Sequence, residues 1–357
     1  MDESQVKRPA ALGFRMPAEW HPHHSTWLTW PKDPETWPDR VTQVEEIYRQ
    51  MIGALTPYEI VNLLVDDDET EATVRDRVSA ATAAQIHFHH LQTVDSWIRD
   101  YGPNFLVGPN GELAFNDWIF NAWGNKYEEL KKDDTVPRRL EPFLKLKRFS
   151  PGIVMEGGSI EVNGAGCVLT TEQCLLNPNR NPELSREAIE QYLKDYLGVS
   201  KVLWLGEGIV GDDTDGHIDD IARFVAPNMI VCAVEDDPED ANYELLEDNL
   251  TRLRSMTDAV GKPFEIVTLP MPGIVGGTST STRELDRLPA SYANFYIANK
   301  VVLAPVFGHD NDARAVETLQ KVFPTRRVVP INCEPLVWGM GTIHCVTQQQ
   351  PSVFIRG

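Results

Sequence analysis

The chain has 357 residues, of which 42% are hydrophobic and 24% charged, so it can bury the core of one large domain or two ordinary ones. Its formal net charge of −20 argues against binding to nucleic acid or anionic membranes and favours cationic ligands. The N-terminal segment MDESQVKRPAALGF lacks the apolar stretch of a signal peptide, and no apolar run is long enough to cross a membrane. We therefore expect a cytoplasmic protein.

Apolar patterns of helical and strand type alternate along the chain. The predicted helices are 41–55, 69–82, 184–197, 240–260 and 311–323, and the predicted strands are 59–65, 167–171, 201–205, 229–234, 264–269 and 299–306. Residues 86–171 contain strand patterns but almost no helix signal. The pattern predicts an α/β fold, in which a ββαβ unit suits the many strands per helix better than a strict βαβ unit. Because no linker marks a boundary, we expect one domain over residues 1–357.

The five cysteines are Cys167, Cys174, Cys232, Cys333 and Cys345. Their odd number and the absence of a CxxC pair argue against a disulfide framework or a zinc ribbon, and a reducing cytoplasm keeps free thiols available. Cys345 ends the segment GMGTIHC, where a glycine-bearing turn leads into a short strand pattern. Most isolated free cysteines are buried core thiols, but the adjacent His344 and the glycines favour an exposed nucleophile here.

A second polar cluster is DGHIDD, in which Asp215 and Asp219 flank His217. Residues at i and i+2 share one face of a strand, so we expect these three side chains to point into one pocket. A histidine between carboxylates favours an acid/base or a metal ligand over a structural role. A zinc site would need three or four of His217, Asp219, Cys345 and nearby carboxylates to converge, and it stays open as an alternative.

Two further acids, Asp100 in DSWIRDYGP and Glu156 in MEGGSIEVNG, lie in short turns next to glycine. Each could simply cap backbone N–H groups. One cysteine, one histidine and several carboxylates nevertheless suit a guanidinium, because acids can bind its N–H edges and leave its central carbon open to attack. The anionic intermediate of a cysteine amidase would be disfavoured by so many acids. The residues therefore predict a cysteine hydrolase that acts on a small cationic guanidino substrate.

Eight segments, in order along nearly the whole chain, resemble the agmatine deiminase family of the guanidino-group-modifying superfamily. They are RMPAEWHPHHSTWLTWP, DSWIRDYGP, FNAWGNKY, EGGSIEVNG, LLNPNRNP, DDTDGHIDD, ANFYIANKVVL and IHCVTQQQP. The resemblance implies a pentein fold, which is a five-bladed α/β propeller of ββαβ units with pseudo-fivefold symmetry. It also implies hydrolysis of agmatine to N-carbamoylputrescine and ammonia in putrescine biosynthesis, without a metal or organic cofactor, by a homo-oligomer.

The resemblance further implies a role for each residue of the site. The catalytic residues would be Cys345, His217, Asp219, Asp100 and Glu156, and the substrate-binding residues would be Trp97, Asp100, Glu156, Asp219 and Gly341. Cys345 would be the nucleophile that forms a covalent thiouronium intermediate, and His217 the general acid/base. Asp100 and Asp219 would hold the guanidinium, and Glu156 would hold its inner nitrogen.

The family usually has three glycines and a small polar residue before Ile-His-Cys, whereas this chain has Gly339, Met340, Gly341 and Thr342. We expect Met340 to crowd the site if that position needs a glycine backbone, and to alter substrate preference. The alternative functions are a deiminase acting on peptidyl-arginine or free arginine, a metal-dependent hydrolase, and an inactive small-molecule binding protein on the same scaffold. Chelators would inactivate the metal enzyme, and thiol alkylation the cysteine enzyme.

Overall fold

The structure is a computed structural model that describes residues 8–276 and 287–353. The helices are α1 Val41–Leu55, α2 Asp68–Arg77, α3 Ala80–Ala83, α4 Ile98–Tyr101, α5 Ala122–Asn125, α6 Val136–Leu144, α7 Glu172–Leu175, α8 Arg186–Leu197, α9 Tyr243–Ser255, α10 Asp312–Val322 and α11 Glu334–Val337. The strands are β1 His23–Thr29, β2 Ile60–Val65, β3 Ile86–His90, β4 Asn104–Val107, β5 Leu113–Asn116, β6 Lys147–Phe149, β7 Glu161–Val162, β8 Cys167–Thr171, β9 Lys201–Leu205, β10 Ala222–Ala226, β11 Met229–Val234, β12 Glu265–Pro270, β13 Tyr296–Ile297, β14 Val301–Val306, β15 Arg327–Asn332 and β16 Gln348–Pro351. The predicted α/β class is confirmed.

The strands of the described residues form five sheets, four of which have three strands. These four have the orders β4-β5-β6, β7-β8-β9, β10-β11-β12 and β13-β14-β15. In each, the first two strands are antiparallel and the second and third are parallel. At least one helix connects each parallel pair, because parallel neighbours need a crossover.

The fifth sheet joins distant parts of the chain, in the order β16-β1-β2-β3. Strand β16 runs antiparallel to β1, with His23 opposite Pro351, and β2 lies parallel to β1 on its other side. Helix α1 connects β1 to β2, so β16, β1, α1 and β2 repeat the ββαβ order of the other four sheets.

The longer helices each bury one apolar face. In α1 the buried residues Val44, Ile47, Tyr48, Met51, Ile52 and Leu55 recur at helical spacing, as expected for a helix that packs on a sheet. All five cysteines are free thiols. Within residues 8–276 and 287–353, no helix combines the length and apolar character needed to span a bilayer.

The prediction of almost no helix within residues 86–171 was wrong for α6, Val136–Leu144. Pro137 and Pro142 read as turn signals in the sequence, although a proline in the first helical turn costs no hydrogen bond. Burial of Val136, Pro137 and Leu140 holds this helix against the protein. Tertiary packing therefore decides a segment that local sequence leaves ambiguous.

Candidate active site

A cleft of about 700 Å³ contains the predicted nucleophile at its floor. The carboxylates that line it are Asp33, Glu35, Asp95, Asp100, Glu128, Glu129 and Asp213, and the one lining cation among the described residues is Lys126. Such a concentration of like charge lowers the electrostatic energy of a bound cation, more so inside a concave site than on an open surface.

Cys345 lies in the turn before β16, with 6% of its surface exposed. Its Sγ receives a hydrogen bond from Asn294 Nδ2 at 3.2 Å and lies 3.9 Å from Asp219 Oδ2. Burial, and then the charges of Asp219, Asp220 and Asp100, raise the pKa of the Cys345 thiol well above its usual value. The thiol is therefore neutral near pH 7 when the cleft holds no cation.

Gly341 leaves space in front of the Cys345 thiol. A Cβ atom at this position would lie 2.7 Å from Cζ3 of Trp97 and 3.1 Å from Sγ of Cys345, so any side chain would displace one of them. The Trp97 indole is held in turn by a hydrogen bond from its Nε1 to Asp95 Oδ2 at 2.9 Å. Trp97 and Gly341, both predicted to bind substrate, thus lie next to the thiol.

Gly158 allows three of the predicted catalytic residues to converge. A Cβ atom there would lie 2.5 Å from His217 Nδ1, 2.9 Å from Asp100 Oδ1 and 3.1 Å from Asp219 Oδ2. The Gly158 backbone N–H donates to Asp100 Oδ1 at 2.9 Å, and His217 Nδ1 lies 3.9 Å from the same oxygen. The glycine after Glu156 and Gly157 is thus required by the close approach of two carboxylates and an imidazole.

Asp100 presents a carboxyl group that can respond to a cation. Its Oδ2 accepts a hydrogen bond from Trp123 Nε1 at 2.9 Å. Burial, followed by the charge of Asp219, raises the pKa of Asp100 well above its usual value. A guanidinium in the cleft would lower this pKa again, because an adjacent positive charge favours the carboxylate.

His217 is almost fully buried, and both of its ring nitrogens are free to exchange a proton with a ligand. Neither ring nitrogen has a hydrogen-bond partner in the part of the chain that the structure describes. Burial lowers the pKa of His217 to about 3, so the imidazole is neutral near pH 7. A neutral imidazole can accept a proton at one nitrogen and donate from the other.

The prediction that Asp215, His217 and Asp219 share a strand face was wrong. His217 instead precedes a 3-10 turn over Ile218–Asp220, and Asp215 has a φ of +64°, so the chain turns between them. Asp215 Oδ2 instead accepts a hydrogen bond from Arg180 Nη1 at 2.6 Å. Only His217 and Asp219 of the three reach the site.

Glu156 is fully buried and is held by an ion pair. Arg180 Nε donates to its Oε1 at 2.7 Å, whereas Oε2 has no hydrogen-bond partner within the described ranges. Burial raises the pKa of Glu156, although the Arg180 charge opposes that shift. Glu156 thus retains one oxygen for a ligand.

Asp219 belongs to a buried charge network. Its Oδ2 lies 2.6 Å from His344 Nδ1, and His344 Nε2 lies 2.7 Å from Glu19 Oε2. Glu19 Oε1 in turn lies 3.0 Å from Arg223 Nη2. Although burial acts to raise it, the hydrogen bond and charge of His344 hold the pKa of Asp219 below its usual value. Asp219 is therefore a carboxylate fixed in place before any ligand arrives.

Five polar residues around the site occupy corresponding places in the fold. Asp100, Glu156, Asp219, Asn294 and Cys345 each lie a few residues before the first strand of a sheet, namely before β4, β7, β10, β13 and β16. The sequence prediction missed Asn294, although its segment ANFYIANKVVL was among those that carried the resemblance. Asn294 Oδ1 also accepts from the Thr342 hydroxyl at 2.7 Å and from the His344 N–H at 2.9 Å. Asn294 thus fixes the loop that bears Cys345.

Residues 15–351 match the Porphyromonas-type peptidyl-arginine deiminase family.

The chain belongs to this family. A relative from Legionella pneumophila strain Paris is 40% identical over 352 residues, which cover 98% of this chain and 99% of the relative. The agmatine deiminase of Stutzerimonas stutzeri strain A1501 is 37% identical over 365 residues, which cover 98% of each chain. The solved structure of the agmatine deiminase of Enterococcus faecalis is 36% identical, with a TM-score of 0.90 and 98% of each chain covered.

Within this family's loop before the nucleophile, Met340 adopts a backbone that favours glycine. Its φ is +72°, in the left-handed region, and its side chain lines the cleft. An L-residue with a Cβ atom pays about 1–2 kcal/mol in that region. The position thus has the backbone conformation of a glycine, and the cost of a methionine there is conformational strain at Met340.

We expect Met340→Gly to be more stable than Met340→Ala by about 1 kcal/mol, because both lack the long side chain but only alanine keeps the strained Cβ. The free energy of unfolding from urea titration measures this difference. Equal stability of the two variants would contradict the strain.

Proposed function

We propose that this protein hydrolyses the guanidinium group of agmatine to N-carbamoylputrescine and ammonia, a step of putrescine biosynthesis. The observation that carries the proposal is a cleft lined by carboxylates whose floor holds Cys345, beside Asp100 and Asp219. Agmatine bears a guanidinium at one end and an ammonium at the other. Carboxylates along the walls and at the floor suit both ends of such a dication, whereas they disfavour the α-carboxylate of free arginine. The names of the relatives support the same substrate.

In the proposed first step, Asp100 and Asp219 bind the edges of the guanidinium, and the free oxygen of Glu156 binds its inner N–H. The substrate's charge offsets the repulsion that keeps Cys345 protonated, so the thiol loses its proton to neutral His217. The thiolate attacks the central carbon, and Asn294 Nδ2, which lies 3.2 Å from Sγ, stabilises its charge. A C–S bond forms and a tetrahedral intermediate results.

In the proposed second step, His217 returns the proton to a terminal nitrogen, which leaves as ammonia while the C–N bond breaks. The product on the protein is a thiouronium. His217 then takes a proton from water, whose oxygen attacks the same carbon. The C–S bond breaks as the hydroxyl proton of the intermediate passes to the Cys345 sulfur, and N-carbamoylputrescine leaves. His217 then releases its proton to solvent, where the ammonia takes it up.

We also propose the finer points of architecture and setting that the resemblance implies. The five sheets, with one site residue before the first strand of each, are consistent with a five-bladed propeller around the site, built as a single domain over residues 1–357. Five free cysteines suit a cytoplasmic location. A homo-oligomer is part of the same proposal, and light scattering of the purified protein tests it.

The test is a substrate panel of agmatine, free arginine and an arginine peptide, in which ammonia and ureido product are both measured. We expect kcat/KM for agmatine to exceed that for either arginine compound. Turnover of the arginine peptide alone would replace the proposed substrate, and loss of activity in EDTA would favour a metal-dependent hydrolase.

We expect iodoacetamide to alkylate Cys345 slowly at pH 7 and progressively faster as the pH rises past 9, because its pKa is raised. Mass spectrometry of the modified peptide measures the rate. Cys167, Cys174, Cys232 and Cys333 are fully buried and serve as internal controls. A rate that has already levelled off at pH 7 would show a resting thiolate and contradict the proposed order of proton transfers.

A further inference from the structure

Three buried side chains with zinc-binding atoms lie together beside the active site. Glu156, Cys174 and His217 each offer one ligand atom, and these atoms lie within 4.8 Å of one another. Cys174 belongs to α7, directly after β8, and its side chain is fully buried. We propose that these three residues bind one Zn²⁺ ion, and that the bound ion inhibits the enzyme.

The donor set is one that zinc prefers. A thiolate, an imidazole and a carboxylate are its usual protein ligands, and a site with three of them leaves the fourth tetrahedral position for water. Bonds of about 2.0–2.3 Å place tetrahedral ligand atoms roughly 3.3–3.8 Å apart. Since the present separations do not exceed 4.8 Å, a closure of about 1–1.5 Å at most is needed, which torsional changes within a rotamer well can supply.

A second, independent observation is that two of the three residues have polar side-chain atoms without a hydrogen-bond partner. Both ring nitrogens of His217 and Oε2 of Glu156 lack a hydrogen-bond partner among residues 8–276 and 287–353. His217 is 1% exposed and Glu156 is 0% exposed. A buried polar atom without a partner is unfavourable, and coordination to a metal ion would remove that penalty.

The charges around the cluster include more anions than cations. Arg180 pairs with Glu156 and with Asp215, and Lys126 also pairs with Asp215. Asp219 adds a further negative charge next to His217, so the surroundings favour a bound cation. Zinc binds a cysteine as the thiolate, so the Cys174 proton is released to solvent when the ion binds.

The inhibitory effect rests on the proposed function, because His217 is its general acid/base and Glu156 holds the substrate. An ion on the imidazole removes the lone pair that accepts the proton of Cys345. The site is close to the cleft, since Asp100 lines the cleft and its Oδ1 lies 3.9 Å from His217 Nδ1. Zinc and a guanidinium would thus compete for the same two side chains.

The binding test uses zinc chloride and a chromophoric chelator in competition with the Cys345→Ala variant, which keeps all three ligands and lacks the nucleophilic thiol. We expect one Zn²⁺ per chain. Cys174→Ser or Cys174→Ala, introduced into the Cys345→Ala background, should weaken the zinc affinity at least about 100-fold. Loss of a residue that only supports a metal ligand already costs about 10–100-fold, and loss of a ligand should cost more. Cys333→Ser, which changes another fully buried cysteine, is the matched control and should leave the affinity unchanged.

The activity test uses the native chain with buffered Zn²⁺. We expect inhibition that EDTA reverses and that high substrate relieves, and we expect Cys174→Ser to keep its turnover while needing at least about 100-fold more zinc. Unchanged zinc affinity in both Cys174 variants, or no binding to Cys345→Ala, overturns the proposal. Since binding is read without turnover, failure of the agmatine proposal would be distinguished from failure of the zinc site.

Discussion

Cys345→Ala is expected to lower kcat for agmatine at least about 10⁴-fold, because removing the nucleophile leaves no route to the covalent intermediate. The substrate still meets the carboxylates of the cleft, so binding should survive. Ammonia release under substrate saturation measures the loss, and calorimetric titration with agmatine measures the binding that remains.

The matched control for this variant is Cys333→Ala. Cys333 is fully buried beside α11, in the core cluster that also includes Cys345, but it does not line the cleft. The Cys333→Ala substitution should change the free energy of unfolding only slightly. It should leave kcat within about twofold, because the residues that line the cleft are unchanged. Residual turnover by Cys345→Ala close to that of Cys333→Ala would refute the covalent mechanism.

Arg223→Met is expected to reduce the free energy of unfolding by about 3–5 kcal/mol, because it leaves buried carboxylates without their cation. Arg223 is fully buried, with Nε 3.0 Å from Glu161 Oε2 and Nη2 3.0 Å from Glu19 Oε1. Its Nη1 also donates to the carbonyls of Ala293 and Phe295 at 3.1 and 2.6 Å. Methionine fills similar volume but satisfies none of these acceptors.

The midpoint and slope of urea unfolding measure this loss, with Arg314→Met as control. Arg314 forms an exposed ion pair with Asp236, so its removal should change stability by no more than about 0.5 kcal/mol. If Arg223→Met were as stable as the control, the ion pairs of Arg223 with Glu19 and Glu161 would not contribute to the free energy of unfolding. Because Glu19 also contacts His344, we expect the variant that does fold to lose part of its activity.

Regular segments were the most predictable part of the fold. The predicted strands at 167–171, 201–205 and 229–234 coincide with β8, β9 and β11, because continuous apolar runs between turn residues leave few other conformations. Helix α6 was missed since its two prolines resemble loop signals, and only burial of one face reveals the helix. The pairing of β16 with β1 depends on contacts across the whole chain, which local patterns do not encode.

The membership of the site was predictable because the residue types pointed to a guanidino substrate and the family resemblance named the positions. The structure places Trp97, Asp100, His217, Asp219 and Cys345 close together, whereas their roles stay predictions. The strand face that was to include Asp215 was wrong because positive φ angles at Asp215 and Gly216 turn the chain there. No spacing rule connects an asparagine to a cysteine so far along the chain, so the contact of Asn294 with the nucleophile required the structure.

The closure of the fifth sheet also sets when the active site can form during synthesis. Cys345 immediately precedes β16, and β16 pairs with β1 from the beginning of the described chain. Among the described residues that contact has the highest sequence separation of any strand pair, so it carries the largest loop-closure cost and we expect it to form late in folding. We therefore expect a nascent chain to form the four intervening sheets before it gains activity. Onset of turnover would therefore report the end of folding, whereas circular dichroism would report the earlier sheets.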